Sequence, residues 1–475
     1  MSTIRLPASQ DIVEVPDPAT PDELDRVVAG ALSAHRAGAW SRDHRLRSRV
    51  LLAWAEALES EGDSLVDQLV RETGKVVAEA RLEIAGACEA LRYNAGACRA
   101  SRDEYHELSD GNRAVVRREP LGPVVFITPW NWPLLLLLRD LAPAFAAGVT
   151  AVVKPSSQTY EVTRRAIELG HAAGVPAEVL HLVAGEGEVG QALVEDPRTR
   201  GVAITGSTVA GQAVMRAAAV TMTRPLLELG GKATSLLLPG ASLDGVLETL
   251  GRASVITAGQ MCMACTRILV HRSQFDDTVA ALQSVLDGLV VGDPADPATD
   301  VGPLIGEPAF GKVSGYLELA RDQEVLITGG DRVQVPGLEG YFLRPALVAG
   351  ADSTSPLVQE DIFGPVLGVE PYETLAEGVA LANATPFGLA ASVWGPDAAL
   401  ARSVADGIDA GTVWINRYNK SYPEIPSGGF KMSGLGRTRG AAGIDQFTEI
   451  KAVVDSAGVG LTDEPTDEPS GRTAR

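Results

Sequence analysis

The sequence contains few cysteines and no long apolar run, and each shortage excludes a class of protein. Four cysteines in 475 residues are too few for a disulfide framework. The most apolar run, WPLLLLLRD from Trp132, is far too short to span a bilayer. The first residues, MSTIRLPASQD, show no charged leader followed by an apolar stretch, so no signal peptide is expected. These features predict a cytoplasmic protein without a membrane partner.

Basic residues are also scarce. The chain has 41 lysines and arginines against 61 aspartates and glutamates, and its formal net charge is −20. A protein that binds duplex nucleic acid needs basic patches to displace counterions, and none is evident. The arginine-rich stretch from Arg42 to Arg49 has helical periodicity and is typical of a solvated face. We therefore expect no nucleic-acid partner.

Metal-binding patterns are missing as well. The six histidines are scattered, and none stands in a metal-binding spacing. Structural zinc needs four ligands, whereas the single C-x-x-C pair, Cys262 and Cys265, has only His271 nearby and no second pair. No metal is expected.

Glycine and proline, in contrast, are abundant, with 50 and 29 residues. They suit many turns between short elements, and the length favours roughly three domains. Helical periodicity predicts helices over Asp43–Glu59, Ser64–Thr73 and Lys75–Arg99. A DGN turn signal between strand-like residues 105–108 and 114–118 predicts a β-hairpin that leaves the domain body.

From Leu121 onward, strand and helix patterns alternate. The β-rich runs are PVVFITP, TAVVKP, VLHLVAG and GVAITGS. This alternation predicts βαβ units and a parallel sheet with helices on both faces, whose ligands lie beyond the carboxyl ends of the strands. A second α/β stretch extends from about Gly231 to Phe430. The polar segment after Asp455 cannot bury enough apolar surface and is expected to be disordered.

Two glycine-rich loops follow strands of this region. GEGEVG, residues 185–190, has the G-x-G-x-x-G spacing of a dinucleotide site, but no acid follows about 20 residues later to hold a ribose. A tight strand-to-helix turn explains these glycines as well, and we favour that interpretation. In ITGSTVAG, Gly206 and Ser207 begin a helix and Gly211 lies one turn in. Free amides there would suit a phosphate, and an ordinary helix cap is the alternative.

The stretch GQMCMACT, residues 259–266, contains two cysteines. With zinc set aside, a thioredoxin-like dithiol and a single nucleophile remain. The surrounding glycine-rich turn does not resemble the active-site entry of the thioredoxin fold. This favours one thiolate nucleophile, activated by local dipoles and by loss of bulk water. Cys88 and Cys98 lie in a helical pattern and are expected to be ordinary buried residues.

A thiolate nucleophile needs an oxyanion donor and a base. Asn131 in ITPWNWP offers an amide at a strand end, and capping of the helix that starts at Pro133 is its alternative role. Glu228 lies between Leu227 and Leu229, where desolvation would raise the pKa of its carboxyl and make it a usable base near neutral pH. A solvated loop glutamate is the alternative.

Together these motifs resemble the aldehyde dehydrogenase superfamily, in its NAD(P)-dependent, hydrolytic form with a catalytic cysteine and glutamate. The resemblance covers the chain from about Pro16 to Val454. Its matching stretches are PLGPVVFITPWNWPLLLLLRDLAPAFAAG, AVVKPSSQT, ITGSTVAG, LELGGK, GQMCMACTR, EDIFGPV, TPFGLAASVW and GTVWIN with GGFKMSGLGR. So many separate motifs in the right order make chance agreement very improbable.

The resemblance implies catalytic roles for Cys262, Glu228, Asn131 and Lys154. Cys262 would attack the aldehyde carbonyl, while the Asn131 amide and the Cys262 backbone N–H hold the oxyanion. Hydride transfer to the nicotinamide would leave a thioester, and Glu228 would activate the water that hydrolyses it. Because CoA-acylating relatives usually lack this glutamate, a free acid is the expected product. A CoA-acylating enzyme, a non-catalytic relative and a C-x-x-C redox protein remain the alternatives.

The resemblance also implies a nicotinamide cofactor. Many relatives read K-P-S-E where this chain reads Lys154-Pro155-Ser156-Ser157, and that glutamate binds ribose hydroxyls and repels a 2′-phosphate. Ser157 removes the repulsion and Lys154 can pair with a phosphate, so NADP is expected to be preferred over NAD. A site that accepts both is the alternative. Asp361 replaces a usual glutamate and would hold the nicotinamide ribose less firmly. The other cofactor-binding residues implied are Thr128, Trp130, Gly206, Ser207, Gly211, Leu229 and Phe363.

The expected substrate is a polar or anionic aldehyde of semialdehyde type. Arg139 lies eight residues after Asn131, about two helical turns on, so it can face the same tunnel. Ser427 replaces a usual phenylalanine, and Ser421 resembles a residue that succinic semialdehyde dehydrogenases use for the carboxylate. Against this, Ile256 stands where those enzymes carry a second arginine. The further substrate-binding residues implied are Leu135, Met261 and Met263.

The resemblance implies an α/β fold with a Rossmann-like cofactor-binding domain, an α/β catalytic domain and a bridging β oligomerisation element. The bridging strands would pair with a neighbouring subunit, because exposed edge strands favour such pairing, to form a homodimer or homotetramer. The expected boundaries are 1–101 and 120–230 for the cofactor-binding domain, 231–432 for the catalytic domain, 102–119 and 433–455 for the bridging element, and 456–475 for a disordered tail.

Overall fold

The computed structural model describes residues 1–100 and 102–455, and within them it has sixteen α-helices, two 3-10 helices, Ser157–Thr159 and Arg272–Gln274, and twenty-two strands. The predicted disordered tail, 456–475, lies outside the described residues. The helices are α1 Pro21–Ala37, α2 Ala39–Arg42, α3 His44–Ser60, α4 Gly62–Thr73, α5 Val77–Ala97, α6 Pro133–Ala147, α7 Tyr160–Ala172, α8 Gly187–Glu195, α9 Thr208–Thr221, α10 Val246–Ser254, α11 Phe275–Asp287, α12 Glu307–Asp322, α13 Pro356–Gln359, α14 Leu375–Asn383, α15 Ala398–Asp406 and α16 Gly440–Asp445.

The strands are short and are distributed along the whole described chain. They are β1 Ser2–Arg5, β2 Ile12–Val15, β3 Glu104–Glu107, β4 Arg113–Pro120, β5 Pro123–Ile127, β6 Thr150–Lys154, β7 Leu180–Leu182, β8 Gly201–Thr205, β9 Arg224–Glu228, β10 Thr234–Leu237, β11 Arg267–His271, β12 Leu326–Thr328, β13 Arg332–Val335, β14 Leu338–Leu343, β15 Ala346–Ala349, β16 Val366–Tyr372, β17 Phe387–Gly388, β18 Ala390–Trp394, β19 Thr412–Ile415, β20 Phe430–Lys431, β21 Gly434–Leu435 and β22 Thr448–Asp455.

The first helices begin and end where the sequence supplies caps. Before α1, the Thr20 hydroxyl accepts from the Glu23 amide while the Glu23 carboxylate accepts from the Thr20 amide, which is a capping box. Pro21 occupies the first helical position, and Gly38 ends the helix in the left-handed conformation. The three helices predicted between residues 43 and 99 are observed as α3, α4 and α5, with ends shifted by at most two residues.

Six strands form the sheet beneath the predicted cofactor motifs, in the order β21-β9-β8-β5-β6-β7. Strands β5 to β9 are parallel, and β21 runs antiparallel to β9. One face packs against α3, α5 and α6, and the other against α1, α8 and α9, so each face has its own apolar core. Coverage on both faces explains why these strands read as continuous apolar runs. The predicted α/β, Rossmann-like fold is confirmed.

A second sheet of seven strands has the order β12-β15-β16-β11-β10-β18-β19. All its pairings are parallel except that of β12 with β15. Helices α10 and α11 help bury one face, and α14 and α15 bury the other. This is the second α/β unit predicted from the sequence. The loop that contains both cysteines of the C-x-x-C pair enters β11 of this sheet.

A third, antiparallel sheet has the order β22-β4-β3 and contains the predicted hairpin. Its edge strand β22 pairs with β4 from Thr448 to Asp455. Within the segment 433–455 assigned to the bridging element, β21 behaves differently from the expectation. β21 pairs with the end of β9 in the six-stranded sheet, because one edge of β9 is not covered by another parallel strand. Only β22 therefore extends the bridging sheet.

None of the helices within residues 1–100 and 102–455 combines the length and the apolar composition that crossing a bilayer requires.

Candidate active site

The carboxyl ends of the parallel strands in the six-stranded sheet converge on one edge, and the sequence motifs lie there. Residues 128–131 follow β5, Lys154 ends β6, Gly206 follows β8 and Glu228 ends β9. Since neighbouring parallel strands end on the same side, the fold gathers these residues from distant positions in the chain. The candidate site is thus built on strand ends, which hold side chains more rigidly than free loops do.

Cys262 is half-buried in the loop between α10 and β11. Thr257 and Ala258 bend this loop with positive φ values of 51° and 52°, which are uncommon for residues that carry a side chain. Gly259 follows with a φ of 74°, and a Cβ there would lie 2.2 Å from the carbonyl oxygen of Gly364. The loop therefore needs a glycine at this point and packs directly on the segment between α13 and β16.

Two opposing influences act on the pKa of the Cys262 thiol. Burial raises its pKa to about 12, and the charge of Arg139 is the largest opposing influence. The enclosure that excludes water also disfavours the charged form, so nucleophilic attack needs a proton acceptor nearby. The other three cysteines are buried, and burial raises the pKa of Cys265 to about 12 as well.

Asn131 is tied to the cysteine loop and does not cap the next helix. Its Nδ2 donates to the carbonyl of Gln260 at 2.9 Å, and its Oδ1 accepts from the Trp132 amide at 3.0 Å. The side chain is buried, and a side-chain amide carries two N–H bonds, so one remains for a ligand. An amide oriented by the loop that carries Cys262 has the geometry of an oxyanion donor.

The helix after Asn131 is capped by a residue that the sequence analysis missed. The amides of Leu134 and Leu135 donate to Oε1 of Glu83 at 2.7 and 3.1 Å. The other carboxylate oxygen of Glu83 pairs with Lys75, and both side chains are fully buried. A buried ion pair between Glu83 of α5 and Lys75, in the connection between α4 and α5, thereby holds the turn that carries Asn131. No local sequence signal indicates this contact, because it joins residues about 50 positions apart.

Glu228 is enclosed, as its leucine neighbours predict. The residue is 4% exposed, and its Oε1 has no hydrogen-bond partner among the described residues. Burial raises its pKa to about 7, and Arg139 is the largest influence in the opposite direction. Gly428 passes so close that a Cβ there would lie 3.1 Å from Oε1. A carboxyl that titrates near neutral pH and keeps one oxygen free has the properties of a general base.

Arg139 points toward Glu228, whereas its spacing from Asn131 predicted a position facing the substrate tunnel. Its Nε and Nη2 donate to the two carboxylate oxygens of Asp140 at 3.1 and 2.9 Å, and Nη2 also donates to Oγ1 of Thr205 at 2.7 Å. Its Nη1 lies 3.8 Å from Oε2 of Glu228. The guanidinium is therefore already engaged and is not a free receptor for a substrate carboxylate. Asp140 was missed, although a charged pair within an apolar helix was a usable signal.

Ser207 is the cap of α9, and the loop before it retains some free amides. The Ser207 hydroxyl accepts from the Ala210 amide at 3.2 Å. The Gly206 amide was expected to be free, but it donates to the carbonyl of Glu228 at 3.0 Å. The amides of Thr208 and Val209 lie in the first turn, where a helix has no internal acceptor for them. The stretch ITGSTVAG therefore contains an ordinary helix cap and also leaves first-turn amides that can bind an anion.

Gly211 allows α9 to lie directly against the loop after β9. A Cβ at Gly211 would lie 2.5 Å from the side chain of Leu229. Leu229 is itself buried, and its amide donates to the carbonyl of Ser433 at 2.9 Å. The close approach brings the first-turn amides of α9 beside the ends of β8 and β9. This arrangement fits the phosphates of a dinucleotide cofactor.

Lys154 and Ser157 lie beside the GEGEVG loop. The Lys154 ammonium donates to the carbonyl of Gly185 at 2.8 Å. Gly185 has a φ of 145°, and a Cβ there would lie 2.4 Å from Val189, so the loop forms the tight turn that the sequence analysis favoured. The Ser157 hydroxyl donates to the carboxylate of Glu186 in the same loop. Glu186 is not among the cofactor-binding residues expected from the sequence.

Aromatic rings and an unsatisfied hydroxyl mark the other end of the cofactor cleft. The rings of Trp130 and Phe363 meet edge to face, with centroids 5.8 Å apart. The Asp361 carboxylate packs on Gly230, where a Cβ would lie 2.6 Å from its Oδ2, and burial raises its pKa. The buried Oγ1 of Thr128 has no hydrogen-bond partner in the described part of the chain, which a bound ligand could provide.

Met261 and Met263 flank Cys262 and are held by the loop after β19. The Tyr418 hydroxyl donates to the carbonyl of Met263 at 2.8 Å, and Nδ2 of Asn419 lies 3.6 Å from Sδ of Met261. Both methionine side chains are half-buried. Flexible thioether side chains on either side of the nucleophile can adapt to substrates of different shape.

The remaining predicted substrate residues are dispersed. Leu135 is half-buried in the first turn of α6. Ser427 exchanges two main-chain hydrogen bonds with Thr438, at 2.9 and 2.8 Å, and precedes the glycine that contacts Glu228. Ser421 is exposed, and within residues 1–100 and 102–455 no hydrogen bond joins its side chain to the cysteine loop. Leu135 and Ser427 therefore lie near the strand ends, whereas the described contacts do not connect Ser421 to the cysteine loop.

Comparisons with known proteins give the family. Residues 2–453 match the profile of the aldehyde dehydrogenase family. Geranial dehydrogenase from Castellaniella defragrans is 37% identical over 437 residues, which are 91% of this chain and 90% of that protein. Phenylacetaldehyde dehydrogenase from Pseudomonas fluorescens is 34% identical over 460 residues, which are 94% of this chain and 91% of that protein.

Solved structures resemble the fold of this chain over nearly its whole length. A betaine aldehyde dehydrogenase from Staphylococcus aureus in complex with NAD+ superposes with a TM-score of 0.94 at 30% identity, covering 97% of this chain and 92% of that one. An NAD-dependent aldehyde dehydrogenase from Sinorhizobium meliloti superposes with a TM-score of 0.92 at 35% identity, covering 98% and 93%. The resemblance seen in the motifs is thus confirmed, and the chain belongs to the aldehyde dehydrogenase family.

Proposed function

We propose that this enzyme oxidises an aldehyde to the carboxylic acid with NAD(P)+, through a thioester on Cys262 that is hydrolysed with the help of Glu228. The observation that carries the proposal is a nucleophile and a base that share one enclosed site. The charge of Arg139 lowers the pKa of both groups, and the charge of Glu228 raises the pKa of Cys262. The loop after Glu228 also touches the cysteine loop, since a Cβ at Gly231 would lie 2.7 Å from the Cys262 carbonyl oxygen.

The first chemical step is the addition of the thiol to the aldehyde. Because burial raises the pKa of the Cys262 thiol to about 12, its proton must leave as sulfur attacks. The acceptor we propose is Glu228, whose pKa is raised to about 7 and whose charge acts on Cys262. The new C–S bond places negative charge on the former carbonyl oxygen. The free N–H of the Asn131 amide and the backbone N–H of Cys262 stabilise that charge.

Oxidation and hydrolysis complete the reaction. When bound, NAD(P)+ supplies the hydride acceptor that turns the thiohemiacetal on Cys262 into a thioester. After Glu228 has released the thiol's proton to solvent, it takes a proton from the attacking water and returns that proton to the Cys262 sulfur as the acid is released. The carboxyl oxygen of Glu228 without a protein partner is free to bind that water. This geometry supports a free acid as product over transfer to CoA.

The residues that hold the cofactor are proposed from the cleft geometry. The first-turn amides of α9 and the Gly211 contact would hold the phosphates, and Lys154 and Ser157 would face the adenosine ribose. Asp361 and Phe363 would flank the nicotinamide ribose and ring. Thr128, Trp130 and Leu229 would line the cleft between the two ends.

For the substrate, we propose an uncharged aldehyde. The anionic substrate expected from Arg139 loses its main support, because Asp140 and Glu228 already engage that guanidinium. The half-buried Met261 and Met263 beside Cys262 favour an apolar chain. Relatives are named for uncharged aldehydes, geranial and phenylacetaldehyde, and for the cationic betaine aldehyde, and none of these three aldehydes is anionic.

We also propose that the enzyme self-associates as a homodimer or homotetramer and works in the cytoplasm. The exposed strand β22 leaves a sheet edge unpaired in the single chain, which favours pairing with a second copy. Four free cysteines, of which one carries the chemistry, agree with a reducing compartment.

Two cysteine variants test the mechanism. Cys262→Ala should abolish NAD(P)H production, because the other three thiols are buried. Cys265→Ser should keep activity within a few-fold of the wild type, since Cys265 is fully buried with its Sγ 3.3 Å from the Ser235 hydroxyl. Activity that depends on both cysteines would instead support a redox pair and contradict the proposal.

The substrate is tested with a panel of aldehydes. We expect uncharged aliphatic and aromatic aldehydes to give a higher kcat/KM than an anionic semialdehyde of similar length, with acid as the product whether or not CoA is present. A clear preference for the anionic aldehyde would restore the tunnel role of Arg139. Accumulation of acyl-CoA would contradict the hydrolytic step.

A further inference from the structure

We propose that Glu186, in the GEGEVG loop, supplies the ribose-binding carboxylate that the K-P-S-S motif lacks and so selects NAD over NADP. The inference rests on the proposed NAD(P)-dependent function. In the sequence, Ser157 stands where many relatives carry the glutamate that binds the ribose. In the folded chain, a carboxylate from 29 residues further on reaches the same place.

The position of Glu186 is set by its neighbours. Gly185 has a φ of 145° and packs so tightly on Val189 that no other residue fits, which fixes the direction in which the chain enters Glu186. The Lys154 ammonium donates to the Gly185 carbonyl at 2.8 Å and ties the loop to the end of β6. Glu186 itself is extended and directly precedes α8. Its carboxylate accepts from the Ser157 hydroxyl, so it is aimed at the ribose site.

The charge around this site also disfavours a phosphate. Ser157 and Glu186 line a cavity of about 710 Å³, whose wall further includes Glu307 and Glu339. Among its lining residues Arg5 is the basic one, and the Arg5 guanidinium donates to the carbonyl of Gln10 at 3.1 Å. Three carboxylates therefore face one arginine that is already engaged. A 2′-phosphate would meet like charge here, and like charges at close range cost affinity.

The two ribose hydroxyls of NAD are better suited to the same group. A carboxylate only accepts hydrogen bonds, and both hydroxyls can donate to it. The Ser157 hydroxyl would then either share that carboxylate or turn to the ligand. Lys154 adds less attraction for a phosphate than its charge implies, since its ammonium is buried and bonded to the Gly185 carbonyl. The NADP preference expected from Ser157 alone is thus reversed.

The test is equilibrium binding of NAD+ and of NADP+, measured by isothermal titration calorimetry on the Cys262→Ala protein, so that turnover plays no part. We expect NAD+ to bind at least about tenfold more tightly than NADP+. Glu186→Gln should lower the ratio of the NADP+ to the NAD+ dissociation constant about tenfold, because NADP+ binds more tightly and NAD+ slightly less. Adding Ser157→Glu to Glu186→Gln should restore the NAD+ preference.

Glu188→Gln is the matched control. It removes the same charge two residues further along, in the first turn of α8, at an exposed residue outside the cavity wall. Its ratio of dissociation constants should stay within about twofold of the parent, because charges outside the cleft are screened by solvent. An equal change in Glu188→Gln and Glu186→Gln would mean a general charge effect and would overturn the proposal.

Other outcomes separate this inference from the proposed function. Tighter binding of NADP+ than NAD+ by the parent, or an unchanged ratio in Glu186→Gln, overturns the role of Glu186 while NAD(P) binding stands. Equal loss of both nucleotides in Glu186→Gln assigns it a structural role and also overturns the inference. If neither nucleotide binds the parent, the proposed function itself fails.

Discussion

At the scale of single residues, the charges around Glu228 decide when the enzyme has a competent base. Burial favours the neutral carboxyl, Arg139 favours the carboxylate, and Asp140 again favours the neutral form. The result is a pKa of about 7, so both forms are present at neutral pH. Because Asp140 holds the Arg139 guanidinium at two points, its positive charge stays at a fixed distance from Glu228.

The rate of thioester hydrolysis should therefore rise with pH through about 7, as Glu228 loses its proton. Arg139→Gln removes the charge that lowers the pKa of Glu228, so the pKa should rise and the rising limb should move up by about one pH unit. Arg139→Lys keeps the charge and serves as the control, with a limb close to that of the wild type. The measurement is kcat against pH, and superimposable profiles for the wild type and Arg139→Gln would contradict the coupling.

At the scale of elements, the contact of α9 with the loop after β9 joins the cofactor cleft to the base. Gly211 on the helix meets Leu229, the residue directly after Glu228. The Gly206 amide also donates to the carbonyl of Glu228. A shift of α9 would therefore move both the first-turn amides and the end of β9. Helix position and base position are thus mechanically linked.

Gly211→Ala should disturb this contact. A Cβ at 2.5 Å from Leu229 forces the helix outward, and overpacking of this kind costs about 1–3 kcal/mol. We expect a lower melting temperature together with weaker binding of NAD(P)+. Gly315→Ala in α12 is the control, because a Cβ there meets nothing within 4 Å, and alanine in a helix interior should stabilise the fold by about 0.5–1 kcal/mol. Wild-type affinity and stability in Gly211→Ala would contradict the close packing.

At the scale of the whole molecule, the edge strand β22 of the bridging sheet is exposed in the single chain. Seven of the eight residues of β22 are exposed, including Ile450 at 64% and Val454 at 59%. Arg102 and Arg118 anchor the sheet to the body through ion pairs with Asp445. An anchored edge strand with exposed apolar side chains is a surface that a second copy would cover.

The variant Ile450→Lys with Val454→Lys should prevent this pairing, because charged side chains on an edge strand oppose association. We expect the wild type to elute with the mass of two or four chains in size-exclusion chromatography with light scattering, and the variant with the mass of one. Val220→Lys, at a residue 72% exposed in α9, is the control and should keep the wild-type mass. A monomeric wild type would contradict the proposed assembly.

Much of the fold could be predicted because its signals are local. The strand and helix boundaries around the six-stranded sheet follow from alternating apolar runs and helix caps, as at Thr20 and Gly38. The burial of Glu228 follows from its leucine neighbours. β21 could not be predicted as part of the six-stranded sheet, because a two-residue strand carries no periodicity and its partner is about 200 residues away.

The sequence by itself determined the family, the α/β architecture and the catalytic pair Cys262 and Glu228 as candidates, because each depends on residue types at short or ordered spacings. Only the tertiary structure decided what Arg139 and Ser157 contact. Arg139 meets Glu228 across the end of a sheet, and Ser157 meets Glu186 across a cleft. The partners of long charged side chains such as Arg139 and Glu186 depend on contacts between distant parts of the chain. A local sequence pattern does not predict those contacts.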